Sequence, residues 1–177
     1  YKHDFSVITG RSWSGKSSFI KLLLRQYDIP TKMLFFKNED MSRLSTDEIQ
    51  KQRASIWVVY QDNKLIERKT VAENIVYPLQ LMWAPTPTIL RRLSTLLTDL
   101  WLEWHNDDVV RYLSGWQRQK VAIARALITQ PTCIIADEPT WNLDREESKH
   151  IADTLIQLNK RGTTIIFITH DLHLIQY

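Results

Sequence analysis

Apolar residues in this chain follow two rhythms that take turns. Short runs stand at Phe5, Val7 and Ile8, at residues 56–59, at residues 133–136 and at residues 165–168. Each is too brief for a helix and reads as a buried strand. Between them, apolar positions recur at helical spacing: Phe19, Ile20 and Leu22 to Leu24, then Val121 to Ala124, then Ile151, Leu155 and Leu158. Strands alternating with helices predict an α/β core on a mainly parallel sheet. Residues 70–113 change character, because Pro78, Pro85 and Pro87 punctuate them and the run TILRRLSTLLTDLWLEW keeps helical periodicity to its end. The expected organisation is a single domain over residues 1–177, with the α/β core at 1–69 and 114–177 and a helical subdomain at 70–113.

Local signals set element boundaries. Ser114 can cap the helix that carries Val121 to Ala124. Asp144 stands three residues before Glu147, a capping-box pair for the helix of Ile151, Leu155 and Leu158. Gly162 falls where a helix is closed by a left-handed residue.

Three strand ends carry candidate chemistry. After the first strand, Gly10 to Ser17 fits G-x-x-x-x-G-K-[ST], a loop whose backbone N–H groups and following helix N-terminus converge on an anion. In such a loop Lys16 reaches the β- and γ-phosphates and Ser17 ligates Mg²⁺. The run IIADE ends in two consecutive carboxylates, Asp137 and Glu138, which need a cation or a catalytic task if they are not a solvated strand end. Gln61 follows the strand of VVYQDNKL, and His170 follows that of IIFITHD; each alone is equally compatible with a structural role.

Together and in this order, GRSWSGKSS at 10–18, YLSGWQRQKVAIARAL from Tyr112 and CIIADEPTWNLD from Cys133 resemble the phosphate loop, signature segment and acidic strand of ABC-type ATPases. The resemblance implies a P-loop NTPase core with an inserted helical subdomain, using ATP and Mg²⁺. It assigns ATP contacts to Gly10, Arg11, Ser12, Trp13, Ser14, Gly15, Lys16, Ser17 and Ser18, and the Mg²⁺ shell to Ser17, Gln61 and Asp137. It makes Glu138 the general base, Gln61 the sensor of metal and water, and His170 the switch that contacts the γ-phosphate. Ser114, Gly115, Trp116 and Gln117 form the signature, which acts on the nucleotide of a second copy, and Asp144 belongs to the loop that crosses the same interface. A homodimer on ATP binding follows.

From Phe5 to Leu174 the chain looks most like the cell-division ATPases of the FtsE family; ERKTVAENI and THDLHLI are the more discriminating stretches. Members of that family pair with an integral membrane protein, FtsX, and control cell-wall hydrolysis. The ATPases of lipoprotein-release and macrolide-export transporters share most of these motifs. A third class, the soluble ABC proteins of DNA repair or translation, is disfavoured by the single nucleotide domain and the lack of a basic arm or zinc-type cysteine spacing. The resemblance places the protein in the cytoplasm, on the inner face of the membrane through its partner. It also implies truncation at both ends, since the segment supplying an adenine-stacking aromatic and the last elements of the usual domain are missing.

Composition complicates the motifs. A soluble chain of this length carries roughly 12 glycines, whereas this one has 4 Gly and 7 Trp. Trp13, Trp116 and Trp141 stand inside the three motifs where the family has glycine, Trp57 and Trp101 fall where relatives commonly carry it, and Trp83 and Trp104 lie in loop-like context. Some bacteria read UGA as glycine and others as tryptophan, so the pattern is that of glycine codons decoded as tryptophan. The alternatives are a degenerate relative that binds ATP without hydrolysing it, and ordinary core aromatics.

Charge narrows the partners. The net charge of +3 is mild and its Lys and Arg are dispersed, so no nucleic-acid partner is expected. No apolar run reaches the roughly 20 residues of a membrane span, and the single Cys133 reads as a small buried apolar residue.

Overall fold

The computed structural model describes residues 3–10, 14–36 and 38–171. In chain order the elements are strand β1 (Phe5–Thr9), helix α1 (Lys16–Leu23), strands β2 (Phe35–Phe36) and β3 (Glu39–Asp40), helix α2 (Thr46–Ser55), strand β4 (Ile56–Val59), helices α3 (Val71–Leu81), α4 (Thr86–Asp99) and α5 (Gly115–Leu127), strand β5 (Cys133–Asp137), helix α6 (Arg145–Lys160) and strand β6 (Thr164–Thr169). Short 3-10 turns lie at Met41–Arg43, Glu103–His105 and Val110–Tyr112. The main sheet has the order β1-β6-β5-β4, all parallel, and β2 and β3 form a small antiparallel pair. The α/β expectation holds.

Both faces of the sheet are covered, as an all-parallel sheet requires. Along β5 and β6, Ile134, Ala136, Ile165 and Phe167 join a core with α3 to α6, while Cys133, Ile135, Ile166 and Ile168 face the opposite way, against α1. That alternation explains why the strands read as unbroken apolar runs. Four helices begin with a capping box: Ser45 with Glu48, Thr70 with Glu73, Ser114 with Gln117 and Asp144 with Glu147. The two boundaries expected at Ser114 and Asp144 are in place.

Two expectations in residues 70–113 are corrected. Pro78 lies inside α3 rather than breaking it, while Pro85 and Pro87 do mark a boundary, at the start of α4. Helical periodicity overran at the far end, because α4 stops at Asp99 and the chain reverses through Trp101, at φ 57°.

The way these helices stop bears on the tryptophans. After α3, Trp83 N–H donates to the Gln80 carbonyl and Ala84 N–H to Leu79, with Trp83 at φ 54°. After α4, Trp101 N–H donates to Thr98 and Leu102 N–H to Leu97. After α6 the same pair of bonds runs from Gly162 to Asn159 and from Thr163 to Leu158, with φ 100° at Gly162. All three are Schellman closures, whose left-handed residue is normally glycine because it has no Cβ to clash. Trp83 and Trp101 are 92% and 80% exposed, so no packing offsets the strain. Trp104, 94% exposed, sits in a 3-10 turn without positive φ, and Trp57 packs half-buried against the core from β4. Among the described tryptophans, 83 and 101 are the two that stand at positive φ, and unlike Arg25, which closes α1 in the same way and donates to the Met41 and Ser42 carbonyls, both are exposed.

A left-handed non-glycine residue costs about 1–2 kcal/mol. Part of that is offset by the entropy glycine adds to the unfolded chain. Trp83→Gly and Trp101→Gly are each expected to raise unfolding stability by about 1 kcal/mol in urea titration, while Trp104→Gly gives no comparable gain. Loss of stability in both of the first two would contradict the assignment.

Cys133 lies buried against the α1 face, and burial pushes its thiol up to about 11. Only ~1 in 1,000 molecules carries the reactive thiolate at pH 8. Iodoacetamide is expected to leave it unmodified in the native protein and to label it once urea unfolds the chain, followed by intact mass.

Candidate functional site

The sheet register gathers the candidate residues. Pairings of Thr9 with Thr169, Asp137 with Ile168 and Val59 with Ala136 bring the carboxyl ends of β1, β6, β5 and β4 to one edge. Gly10, His170, Glu138 and Gln61 all leave the sheet there, at the edge where parallel α/β sheets bind ligands.

At β1 the chain turns into α1 through Gly15, whose φ of 91° only glycine adopts freely. Gly10 and Ser14 abut: a Cβ on Gly10 would stand 2.6 Å from the Ser14 hydroxyl. Arg11, Ser12 and Trp13 lie outside the described residues. Lys16 Nζ donates to the Gly10 carbonyl at 2.6 Å and stands 3.4 Å from Glu138 Oε1.

The paired carboxylates behave differently. Glu138 N–H donates to Ile168 O at 2.9 Å, and φ 48° then turns the chain out of the strand. Its buried carboxylate accepts from His170 N–H at 3.2 Å and meets His170 Nδ1 at 2.8 Å. Asp137 stays beside it, half-buried. Its carboxyl is held above the usual range by burial first and the neighbouring Glu138 charge second, against the pull of Lys16. A cation placed here would relieve both effects.

A cavity of about 500 Å³ opens on this edge, lined by Ser14 to Ser18, Gln61, Asp137, Glu138, Trp141 and His170. The Ser17 hydroxyl, Gln61 carboxamide and Asp137 carboxylate are oxygen donors, the kind that suits Mg²⁺. The Trp141 ring stands 5.6 Å from that of His170, so an indole takes up part of this space.

Ser114, Gly115, Trp116 and Gln117 do not line the cavity. They form the N-terminus of α5, where Ser114 and Gln117 cap each other. A Cβ on Gly115 would stand 3.1 Å from Leu143 Cδ2, so the signature abuts the WNLD loop. The Trp116 ring lies 4.5 Å from the Lys120 ammonium, and Asp144 caps α6 with a 2.8 Å bond from Glu147 N–H.

Sequence reasoning missed the arginines of α5. Arg125 donates to the carbonyls of Lys64 and Asn63 at 2.7 and 2.6 Å, and Arg118 pairs with Glu67 at 3.1 Å. Asn63 and Lys64 both have positive φ, so the loop after Gln61 is held in shape from α5. The available signal was a charge inside the apolar run VAIARAL, which must find partners when buried.

Residues 1–141 match the family described as ABC transporter. The cell division ATP-binding protein FtsE of Bacillus subtilis is 35% identical over 173 residues, 97% of this chain and 75% of that protein. The methionine import ATP-binding protein MetN 2 of Bacillus thuringiensis is 38% identical over 177 residues, 99% of this chain and 52% of that protein. Among solved structures, the dimeric bacterial ABC transporter cassette MJ0796 superimposes with a TM-score of 0.83 at 31% identity, covering 99% of this chain and 78% of that one. The chain belongs to the ABC transporter family and is an ATPase cassette.

Proposed function

We propose, starting from that family membership, that this cassette is the ATP-driven subunit of a bacterial membrane complex of the FtsE kind, working with an FtsX-like partner to control cell-wall hydrolysis in division. The observation that carries the catalytic part is the meeting of Lys16, Glu138 and His170 around one buried carboxylate. Phosphates entering the cavity draw the Lys16 ammonium to themselves and away from Glu138, leaving that carboxylate to accept the proton of the attacking water. His170, bonded to Glu138, is positioned to follow the γ-phosphate. Ser17, Gln61 and Asp137 would hold Mg²⁺, which supplies charge neutralisation on the transferring phosphoryl group.

The signature acts from a second copy. Its place outside the cavity supports that reading, as does the similarity to a dimeric cassette. The surface near Gln61 to Tyr77, which leads into the helical subdomain of residues 70–113, is where the family resemblance puts the membrane partner. Among the described residues no helix is long and apolar enough to cross a membrane. In the FtsE-like reading, attachment to the cytoplasmic side of the membrane comes through the partner. The 38% identity to MetN 2 favours a second reading, the ATPase of an importer. Co-purification from source cells separates them: a four-helix membrane protein supports the division reading, and an importer permease overturns it.

Lys16→Ala is expected to abolish ATP binding in calorimetry. Glu138→Gln is expected to keep binding and to lower turnover by about 10²–10⁴-fold. Retained turnover in Glu138→Gln would remove Glu138 as the base.

Trp116 decides between a hydrolysing cassette and one that only binds ATP. In protein from the source cells, mass spectrometry of the tryptic peptide from Tyr112 to Arg118 is expected to show glycine at 116. A tryptophan mass there would favour the binding module.

A further inference from the structure

The N-terminus of α5 is held by a side chain from outside the nucleotide-binding core. Gln117 Nε2 lies 2.8 Å from His105 Nε2, and His105 Nδ1 lies 2.7 Å from Asp108 Oδ2. The other end of the Gln117 carboxamide, Oε1, accepts Ser114 N–H at 2.9 Å, which is half of the capping box. We propose that His105 is a positioning residue for the signature: it fixes the Gln117 carboxamide in the orientation that closes the cap on Ser114.

Donor and acceptor counting gives the proposal its direction. Ser114 N–H needs an acceptor, so the carboxamide oxygen must face it and the amide NH₂ must face His105. The imidazole Nε2 then accepts, which puts the ring proton on Nδ1, where Asp108 receives it. Flipping the carboxamide would set two donors against each other at Ser114. Only this arrangement satisfies all three contacts.

The anchor itself is built into the fold. Asp108 N–H donates to the His105 carbonyl at 3.0 Å, and the carbonyls of Asp108 and Asn106 accept Val71 N–H and Ala72 N–H, each at 3.0 Å. The turn carrying His105 is therefore pinned to the first turn of α3, the helix entered from the loop after Gln61. A movement of α3 is transmitted through His105 to Ser114 and Gln117. His105 is outside the cavity, so it affects how the signature is presented and not how the cassette holds its own nucleotide.

The catalytic consequence rests on the cassette reading above, whereas the cap geometry does not. In amide hydrogen exchange on the full chain, His105→Ala is expected to speed exchange at Ser114 and Gln117 about five- to tenfold, the scale of a lost N-cap bond, with the last turns of α5 unchanged. His105→Gln, which keeps an acceptor near the Nε2 position, restores protection. In turnover assays His105→Ala lowers kcat about fivefold while ATP affinity stays within about twofold, and His105→Gln recovers kcat. Unchanged exchange in His105→Ala, or equal loss in His105→Gln and His105→Ala, would overturn the proposal. If Lys16→Ala leaves ATP binding intact, the proposed nucleotide site fails while the exchange result still decides the role of His105.

Discussion

The site hangs on one backbone hydrogen bond, from Glu138 N–H to the Ile168 carbonyl at 2.9 Å. It carries the β5–β6 ladder one residue past the end of β5, so Glu138 is still anchored when its φ of 48° swings the chain out of the sheet. The carboxylate that results is buried, and burying a lone charge is costly. Lys16 approaches it from the β1 side and His170 from the end of β6, so three adjacent strand ends supply the parts. A slip of one residue in either pairing would turn β5 or β6 over and send these side chains to opposite faces. The interdigitated core on both sides of the sheet is what fixes that register.

Beside this edge, α5 ties the segment at its own N-terminus to the loop after Gln61. Its first turn presents the signature, and Arg118 and Arg125 reach the loop that follows Gln61. Because α5 also packs against α3, a change in the Gln61 loop has two routes to the signature. One runs through backbone carbonyls held by Arg125. The other runs through the α3 turn, His105 and Gln117. Both routes are chains of specific hydrogen bonds, so each link can be removed one at a time.

Much of this was legible in the chain. Short apolar runs between helical periodicities specify the layers, and Ser114 and Asp144 announce their helices through chemistry local to four residues. Glu138 and His170 stand directly after a strand and Gln61 two residues after one, which the sequence showed; that one sheet edge gathers them came from the parallel register. The end of α4 was not legible, because periodicity continues through Leu102 and the stop is a backbone event at residue 101. Nor were the partners of Arg125 and His105, since contacts 62 and 12 residues away depend on how α5 lies against the rest. Side-chain wiring between elements has no periodicity to betray it.

The Schellman closures sharpen what the tryptophans mean. A helix end needs a left-handed residue to satisfy its last carbonyls, and the need is set by hydrogen bonding rather than by the residue that happens to be there. Among the described residues four helix ends close this way: α6 on Gly162, α1 on Arg25, whose guanidinium donates to the Met41 and Ser42 carbonyls, and α3 and α4 on indoles that stand in water. Selection for an aromatic would leave some contact to justify it, as Trp57 has on β4. An exposed Trp at a strained backbone position gains neither burial nor a relaxed φ. Glycine at 83 and 101 removes both objections at once. The same substitution at 141 would clear the indole from beside His170, where both line the cavity.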